Sequence, residues 1–194
     1  MSSPRVWLVR HGETDWSASG RHTSRTDLPL TERGEVQAKA LAPLLSGRPF
    51  SLVETSPRLR ALRTAELAGF DALPNDDLVE WDYGDLEGLT TDQVRASYPG
   101  WTIWSGPWPS GERPEQVAAR ARRLVERTLD LPEGSEALFF SHGHMLRVLA
   151  ATWLGRPPED GRALVLGTAT LSVLGWEHAT PVVQRWNLPA DDDL

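Results

Sequence analysis

The sequence predicts an α/β fold, because short apolar runs typical of buried strands alternate with segments of helical periodicity. Residues 5–9 and 137–140 are two such runs, and each stops at a polar segment that contains a histidine followed by a glycine. With 194 residues, no internal repeat and no long linker, the chain is expected to form one domain over residues 1–194.

The first half of the chain is predicted to hold two strands and two helices. Residues 5–9 form the first strand, and a helix over residues 31–46 follows, where apolar side chains recur at helical spacing before a glycine. These apolar positions are Val36, Ala40, Leu44 and Leu45. After a second strand at residues 50–53, Ser56 supplies the N-cap of a helix that ends near Ala68.

The second half continues the same alternation of helices and strands. The predicted elements are helices over residues 91–97, 115–129 and 145–154 and strands over residues 137–140, 170–176 and 182–186. The last two strands are joined by a short turn, and this hairpin could mediate a homodimer. An acidic tail follows it, and we expect that tail to be mobile.

Composition and charge exclude several classes of function. The formal net charge is -7 and the sequence pI is about 5.2, so the surface as a whole would repel nucleic acid and anionic lipid. No stretch approaches the roughly 20 apolar residues of a membrane span, and the N-terminus shows no signal-peptide pattern, which predicts a cytoplasmic protein. The chain has no cysteine, which excludes disulfides, thiolate metal sites and a cysteine nucleophile.

Two histidines each closely follow a predicted strand. In open α/β sheets, ligands bind beyond the carboxyl ends of the strands. His11 and His142 both fall at such ends in this interpretation. We therefore expect both histidines to take part in one site.

Five ordered sequence blocks resemble the histidine phosphatase superfamily, which includes the phosphoglycerate mutases. They are RHGET at residues 10–14, DLPLTERG at 27–34, SPRLRALRTA at 56–65, EWDYGDLEG at 80–88 and SHG at 141–143. A lone Arg-His-Gly is a weak signal, but five blocks in family order are a strong one. The stretch over residues 17–27 is similar to two subgroups, the sedoheptulose bisphosphatase-like sugar phosphatases and the mycobacterial-type broad acid phosphatases.

The resemblance implies a three-layer α/β/α sandwich of the phosphoglycerate mutase-like type. It also implies that Arg10, His11, Arg60 and His142 line a phosphate pocket, with Glu80 nearby as a proton donor. The residue types suit that role, because guanidinium groups carry a permanent charge and can bind two phosphate oxygens each. A neutral imidazole can attack phosphorus when its other nitrogen is tied down, as we expect for His11.

The other two polar groups would complete the reaction. His142 would serve better in its protonated form, donating to the phosphoryl oxygens. Glu80 would protonate the leaving alkoxide and then accept a proton from the attacking water, for which its carboxyl needs burial or neighbouring negative charge. Asp82 and Glu87 are rivals for this role. The chemistry requires no metal, and the sequence shows no convincing metal-ligand spacing and implies no cofactor.

Further candidates surround this constellation. Ser17, Thr23, Ser24 and Gly143 are predicted to contact the substrate, where the hydroxyls could bond phosphate or sugar oxygens. His144 either lines the pocket or merely begins a helix. Several other residues have structural interpretations: Arg58 and Arg63 on a solvated face, His22 and His178 as surface or structural residues, and Trp101, Trp104 and Trp108 either in a lid that stacks on substrate or packed on the core.

The predicted activity is hydrolysis of a small phosphorylated metabolite, such as a sugar phosphate, through a phosphohistidine on His11. A mutase of the family carries a longer insertion between the glutamate block and the second histidine, and a shorter interval should admit water to the phosphohistidine. Cofactor-dependent phosphoglycerate mutase is the alternative enzyme. A non-catalytic phospholigand-binding protein is the other alternative, although binding alone needs no proton donor.

Overall fold

A computed structural model describes residues 3–190, and strands and helices alternate along them as predicted. The strands are β1 (Arg5–Arg10), β2 (Phe50–Thr55), β3 (Leu73–Pro74), β4 (Glu136–Ser141), β5 (Thr170–Glu177) and β6 (Thr180–Pro189). The helices are α1 (Asp15–Ala18), α2 (Glu32–Ala40), α3 (Ala42–Leu45), α4 (Leu59–Leu67), α5 (Thr91–Ser97), α6 (Pro114–Leu129) and α7 (Gly143–Trp153). The acidic tail predicted after the last strand lies outside the described residues.

The six strands form one mixed sheet in the order β3-β2-β4-β1-β5-β6. Strands β1 to β4 run parallel, whereas β5 and β6 run antiparallel to their neighbours. In the register of β1 and β4, Arg10 lies opposite Ser141, and the backbone N–H of His11 donates to the Ser141 carbonyl at 3.0 Å. The two central strands therefore end level with each other.

Helices cover both faces of the sheet, because successive strand residues point to opposite sides. Leu8 and Phe139 pack with apolar residues of α6 and α7 on one face. Val9 and Phe140 pack on the other face with Leu41, between α2 and α3, Leu45 of α3 and Ala65 of α4. This is the predicted α/β/α sandwich. Among residues 3–190, no helix has the length and apolarity needed to cross a bilayer.

The predicted helix over residues 31–46 is wrong in its continuity and in its buried face. It consists of α2 and α3, which meet at Leu41, because Pro43 lacks the N–H that would continue the helix. The buried stripe runs through Gly34, Ala38, Leu41 and Leu45 instead, so Val36 is 62% and Leu44 40% exposed.

Ser56 does not cap the helix that follows β2, contrary to the prediction. Helix α4 begins at Leu59, and the carboxylate of Asp27 accepts the Leu59 N–H at 2.7 Å instead. The Ser56 hydroxyl accepts the Arg58 N–H at 3.3 Å and faces His142. A residue before proline favours extended backbone, which delays the helix start.

The tryptophan-containing segment between α5 and α6 is packed on the molecule. Trp101 is 2% exposed, and its indole donates to the Pro107 carbonyl at 2.9 Å. Trp104 and Trp108 are partly buried against the same core. Of the two interpretations of these tryptophans, the structure shows the packed one.

Candidate active site

The ends of β1 and β4 bring the two predicted histidines together. The ring centroids of His11 and His142 are 5.2 Å apart. The loop after β1 is pressed against the start of α2, since a Cβ at Gly12 would lie 2.4 Å from the Gly34 carbonyl oxygen, and one at Gly34 2.1 Å from the Glu13 carbonyl oxygen. Only glycine permits this approach. The His11 loop is thus fixed from two sides.

His11 is held as a neutral imidazole with one nitrogen open. Its Nδ1 lies 2.7 Å from the Gly12 carbonyl, which can only accept, so Nδ1 carries the proton. Within residues 3–190, no group bonds Nε2. Burial, followed by the charges of Arg60 and Arg10, holds the pKa of His11 well below its usual value. The lone pair on Nε2 is therefore available for attack.

Arg10 brings a cation with an open donor into the cavity. Its Nη1 donates to the Leu166 carbonyl at 2.6 Å, whereas its Nε is buried without a partner among the described residues. Gly143 lies against this guanidinium, because a Cβ there would be 3.4 Å from the Arg10 Nε and Cζ. A buried donor without a partner is costly, and a phosphate oxygen would satisfy it.

Arg60 lies behind the two histidines and, contrary to the prediction, does not line the cavity; the fully buried His142 does not line it either. Arg60 is fully buried, and its Nε donates to His142 Nδ1 at 3.2 Å. Its two Nη atoms donate to the carbonyls of Thr23, Ser24 and Thr26 at 3.1 to 3.3 Å. The guanidinium therefore fixes the loop before α2 and adds positive charge beneath His11.

The hydrogen bonds of His142 fit a neutral ring and not a protonated one. Because Arg60 always donates, Nδ1 of His142 must accept, which places the ring proton on Nε2, 2.8 Å from the Ser56 hydroxyl. Burial lowers the pKa of His142 well below its usual value, and the charge of Arg60 lowers it further. Both ring nitrogens of His142 are thus engaged, and the ring is neutral.

Glu80 faces the cavity from a segment next to the start of α7. It is 6% exposed. Its carboxylate accepts three backbone N–H groups, from Trp81 at 2.9 Å, Met145 at 2.8 Å and His144 at 3.1 Å. The carboxylate is consequently fixed in place opposite Arg10.

The two rival carboxylates are occupied elsewhere and do not line the cavity. Asp82 forms an ion pair with Arg25 and accepts the Gly84 N–H. Glu87 accepts hydrogen bonds from Ser24 and from the Thr26 N–H, and these bonds lower its pKa despite partial burial. Of the three, only Glu80 faces His11.

The predicted substrate-binding residues divide into two groups. Ser17, Thr23 and Gly143 line the cavity. Ser24 does not: it is 3% exposed, and its hydroxyl donates to Glu87 at 2.9 Å. The hydroxyl of Ser17 is also partly used, because it donates to the Thr14 carbonyl at 3.0 Å in the cap of α1.

One wall of the cavity is formed by polar and aromatic side chains, most of which were not predicted from the sequence. His22 was predicted as a surface or structural residue, but it lines the cavity and stacks on Tyr83 with the ring centroids 4.8 Å apart. The Tyr83 hydroxyl lies 2.6 Å from His144 Nδ1, so His144 both lines the cavity and lies in the first turn of α7. Arg147 from the same helix completes the wall. Burial lowers the pKa of His22 and, more strongly, that of His144.

The remaining polar candidates lie away from the cavity. Arg63 pairs with Glu35 and Glu66 on the surface, and His178 is exposed in the turn between β5 and β6. Arg58 does not line the cavity. In the part of the chain that the structure describes, no cluster of three or more acidic or histidine side chains could hold a metal ion.

The cavity has a volume of about 170 Å³ and combines an open imidazole nitrogen, an open guanidinium donor and a fixed carboxylate. Drug-sized ligands occupy about 300 to 1,000 Å³, so this site suits a small ligand. Together with the position at the carboxyl ends of parallel strands, these groups form a site suited to binding a phosphate group.

Comparisons with known proteins agree with this class of site. The model of the histidine phosphatase superfamily (branch 1) matches residues 6–189. An acid phosphatase from Mycobacterium tuberculosis is 41% identical over 177 residues, which cover 90% of this chain and 87% of the relative. Sedoheptulose 1,7-bisphosphatase from Saccharomyces cerevisiae is 36% identical over 185 residues, covering 79% and 68% respectively.

A solved structure of a Mycobacterium tuberculosis open reading frame superposes with a TM-score of 0.92 at 39% identity, over 96% of this chain and 98% of that one. Proteins described as probable phosphoglycerate mutases are also similar, one from Cronobacter sakazakii being 34% identical over 200 residues, with 98% and 93% covered. This chain belongs to the histidine phosphatase superfamily. The predicted family and fold class are confirmed, and the protein is a phosphoric monoester hydrolase.

Proposed function

We propose that this protein hydrolyses small phosphate monoesters, sugar phosphates among them, through a covalent phosphohistidine on His11. The observation that carries the proposal is the hydrogen bond from His11 Nδ1 to the Gly12 carbonyl, because it directs an unprotonated Nε2 into the cavity next to Arg10. An imidazole kept neutral by burial and by two neighbouring cations is a nucleophile near neutral pH.

In the first step, Nε2 of His11 attacks phosphorus and the bond to the ester oxygen breaks. Glu80 enters this step as the carboxylic acid, with its proton on Oε2, which accepts only one N–H bond. The leaving alkoxide takes that proton, and the Arg10 guanidinium binds the phosphoryl oxygens. His142 keeps its proton on Nε2 in this step, because its Nδ1 accepts from Arg60. His142 can then leave the Ser56 hydroxyl and donate to a phosphoryl oxygen.

In the second step, water attacks the phosphorus of the phosphohistidine. Glu80, now a carboxylate, accepts a proton from that water, and the bond from phosphorus to Nε2 breaks. Inorganic phosphate leaves, and His11 and Glu80 return to their starting states. The cavity wall of His22, Tyr83 and Thr23 would contact the alcohol part of the ester.

Trapping the intermediate tests this proposal. Purified protein is mixed with a sugar phosphate or p-nitrophenyl phosphate and quenched in alkali, in which phosphohistidine survives, and peptides are then read by mass spectrometry. We expect phosphate on His11 during turnover and steady release of inorganic phosphate, unaffected by chelator. Turnover without any label at residue 11, or loss of activity with chelator, would contradict the proposed mechanism.

Phosphoglycerate mutase activity is the alternative function, because the chain is also similar to proteins described as probable phosphoglycerate mutases. An assay of 3-phosphoglycerate with a bisphosphate primer separates the two activities, and we expect release of phosphate to exceed isomerisation. Faster isomerisation would favour the mutase. A cytoplasmic location and a homodimer through the β5–β6 hairpin stay predictions.

A further inference from the structure

A buried arginine outside the cavity holds the chain segment that carries Glu80. Arg120 lies on α6 and is 9% exposed. Its guanidinium donates to the backbone carbonyls of Asp77 and Val79 at 2.8 Å each and of Glu80 at 3.4 Å. Buried carbonyls need such donors, and this segment obtains three of them from one side chain.

Glu112 binds both Arg120 and the chain segment on the other side of Glu80. Its carboxylate pairs with the Arg120 guanidinium through two hydrogen bonds of 3.0 and 2.8 Å, and it also accepts the Asp82 N–H at 3.0 Å. The Glu112 carbonyl accepts the Trp81 indole N–H at 2.8 Å. The Arg120–Glu112 pair therefore fixes the backbone on both sides of residue 80.

The same guanidinium reaches the second element that orients the Glu80 carboxylate. Arg120 Nη1 lies 3.2 Å from the Met145 sulfur, and the Met145 backbone N–H donates to Glu80 Oε1 at 2.8 Å. Arg120 thus contacts both the segment that carries Glu80 and the start of α7 that holds its carboxylate.

We propose that Arg120, paired with Glu112, is a positioning residue for Glu80 and sets the distance of its carboxyl group from the leaving oxygen. Arg120 touches no substrate and acts only through Glu80. The inference rests on the proposed function, because it takes Glu80 as the proton donor. A displacement of about 1 Å in such a group can cost about 10²-fold in rate.

The choice of leaving group separates this role from a merely structural one. The alkoxide of glycerol 3-phosphate needs a proton as it leaves, whereas p-nitrophenolate is a stable anion and does not. We expect Arg120→Met and Glu112→Gln to lower kcat/KM for glycerol 3-phosphate by about 10- to 100-fold but that for p-nitrophenyl phosphate by less than about threefold. Glu80→Gln should show the same selectivity with a larger loss.

Two further variants make the test sharp. Arg123→Met removes an exposed arginine of the same helix, which pairs with Asp77, and should change neither substrate by more than about twofold. Adding Arg120→Met to Glu80→Gln should cause no further loss on glycerol 3-phosphate, because a residue that acts through another has no effect once that other is removed.

The outcomes distinguish the inference from the proposed function. Equal losses on both substrates in Arg120→Met and Glu112→Gln, no loss in either, or additive losses in the double variant would overturn the positioning role. If Arg120→Met fails to fold, Glu112→Gln alone decides, since it keeps the shape of the side chain. Equal losses on both substrates in Glu80→Gln would instead overturn the proton-donor role itself.

Discussion

The ends of β1 and β4 carry similar local sequences but very different hydrogen bonding. Both strands deliver a histidine followed by glycine to the same edge of the sheet. His11 has one nitrogen tied to a backbone carbonyl and the other open, whereas His142 has both nitrogens engaged, by Arg60 and by Ser56. The strand places a histidine, and its partners from distant segments decide what it can do.

The largest expected effect tests the open nitrogen of His11. His11→Asn removes the nucleophile but keeps a polar side chain, and kcat/KM for a small phosphate ester should fall by at least about 10⁴-fold. Phosphate release from purified protein measures the loss, with His178→Asn, at an exposed turn, as an unchanged control. Activity within about tenfold of the parent would remove His11 from the role of nucleophile.

A smaller loss is expected at the other strand end. His142→Ala removes a donor to the phosphoryl oxygens and should lower kcat/KM by about 10² to 10³-fold. Phosphate should still be trapped on His11, only more slowly, because the nucleophile is intact. If alkaline quenching instead finds no label on His11 in this variant, the two histidines do not differ as their hydrogen bonds suggest.

A substitution of Ser56 tests the hydrogen bonding of His142 without removing the histidine itself. Ser56→Ala removes the acceptor 2.8 Å from His142 Nε2 and leaves the His11 loop untouched. The freed ring loses one of its two restraints, so kcat/KM should fall by about tenfold, the scale of one hydrogen bond of about 1.4 kcal/mol. Steady-state kinetics at one pH are sufficient, and an effect as large as that of His142→Ala would show that Ser56 itself contacts the substrate.

The smallest expected effect is the change in kcat/KM when the pH is lowered to mildly acidic values. The pKa of His11 is lowered, so its nucleophilic neutral form persists as the pH falls below 6.5. After correction for the second ionisation of the substrate near pH 6, kcat/KM should change by less than about threefold between about pH 7.5 and 5.5, whereas an unperturbed imidazole would lose about tenfold. A pH–rate profile with an acid limb near 6.5 would contradict this environment for His11.

Features that depend on neighbouring residues in the chain were predictable from the sequence. The apolar runs that end at His11 and His142 gave the positions of both central strands, and the strand ends gave the edge of the sheet where the site lies. The break at Pro43 was the exception, since helical spacing alone concealed it and led to a wrong face for Val36.

Features that depend on distant partners were not predictable. The neutral state of His142 follows from Arg60 and Ser56, which come from a separate segment, so the sequence suggested a protonated ring. His22 was predicted as a surface or structural residue, because its stacking partner Tyr83 lies far along the chain. The aromatic Tyr83, inside the block that carries Glu80, was the one signal that could have indicated a polar wall.

The close contact between Gly12 and Gly34 has a practical consequence for protein engineering. Because neither position has room for even a methyl group, the nucleophile loop and helix α2 behave as one rigid frame that directed evolution cannot rebuild one residue at a time. Variants with altered substrate range should therefore be sought on the opposite wall, at His22, Thr23 and Arg147, where side chains can be exchanged without moving the frame.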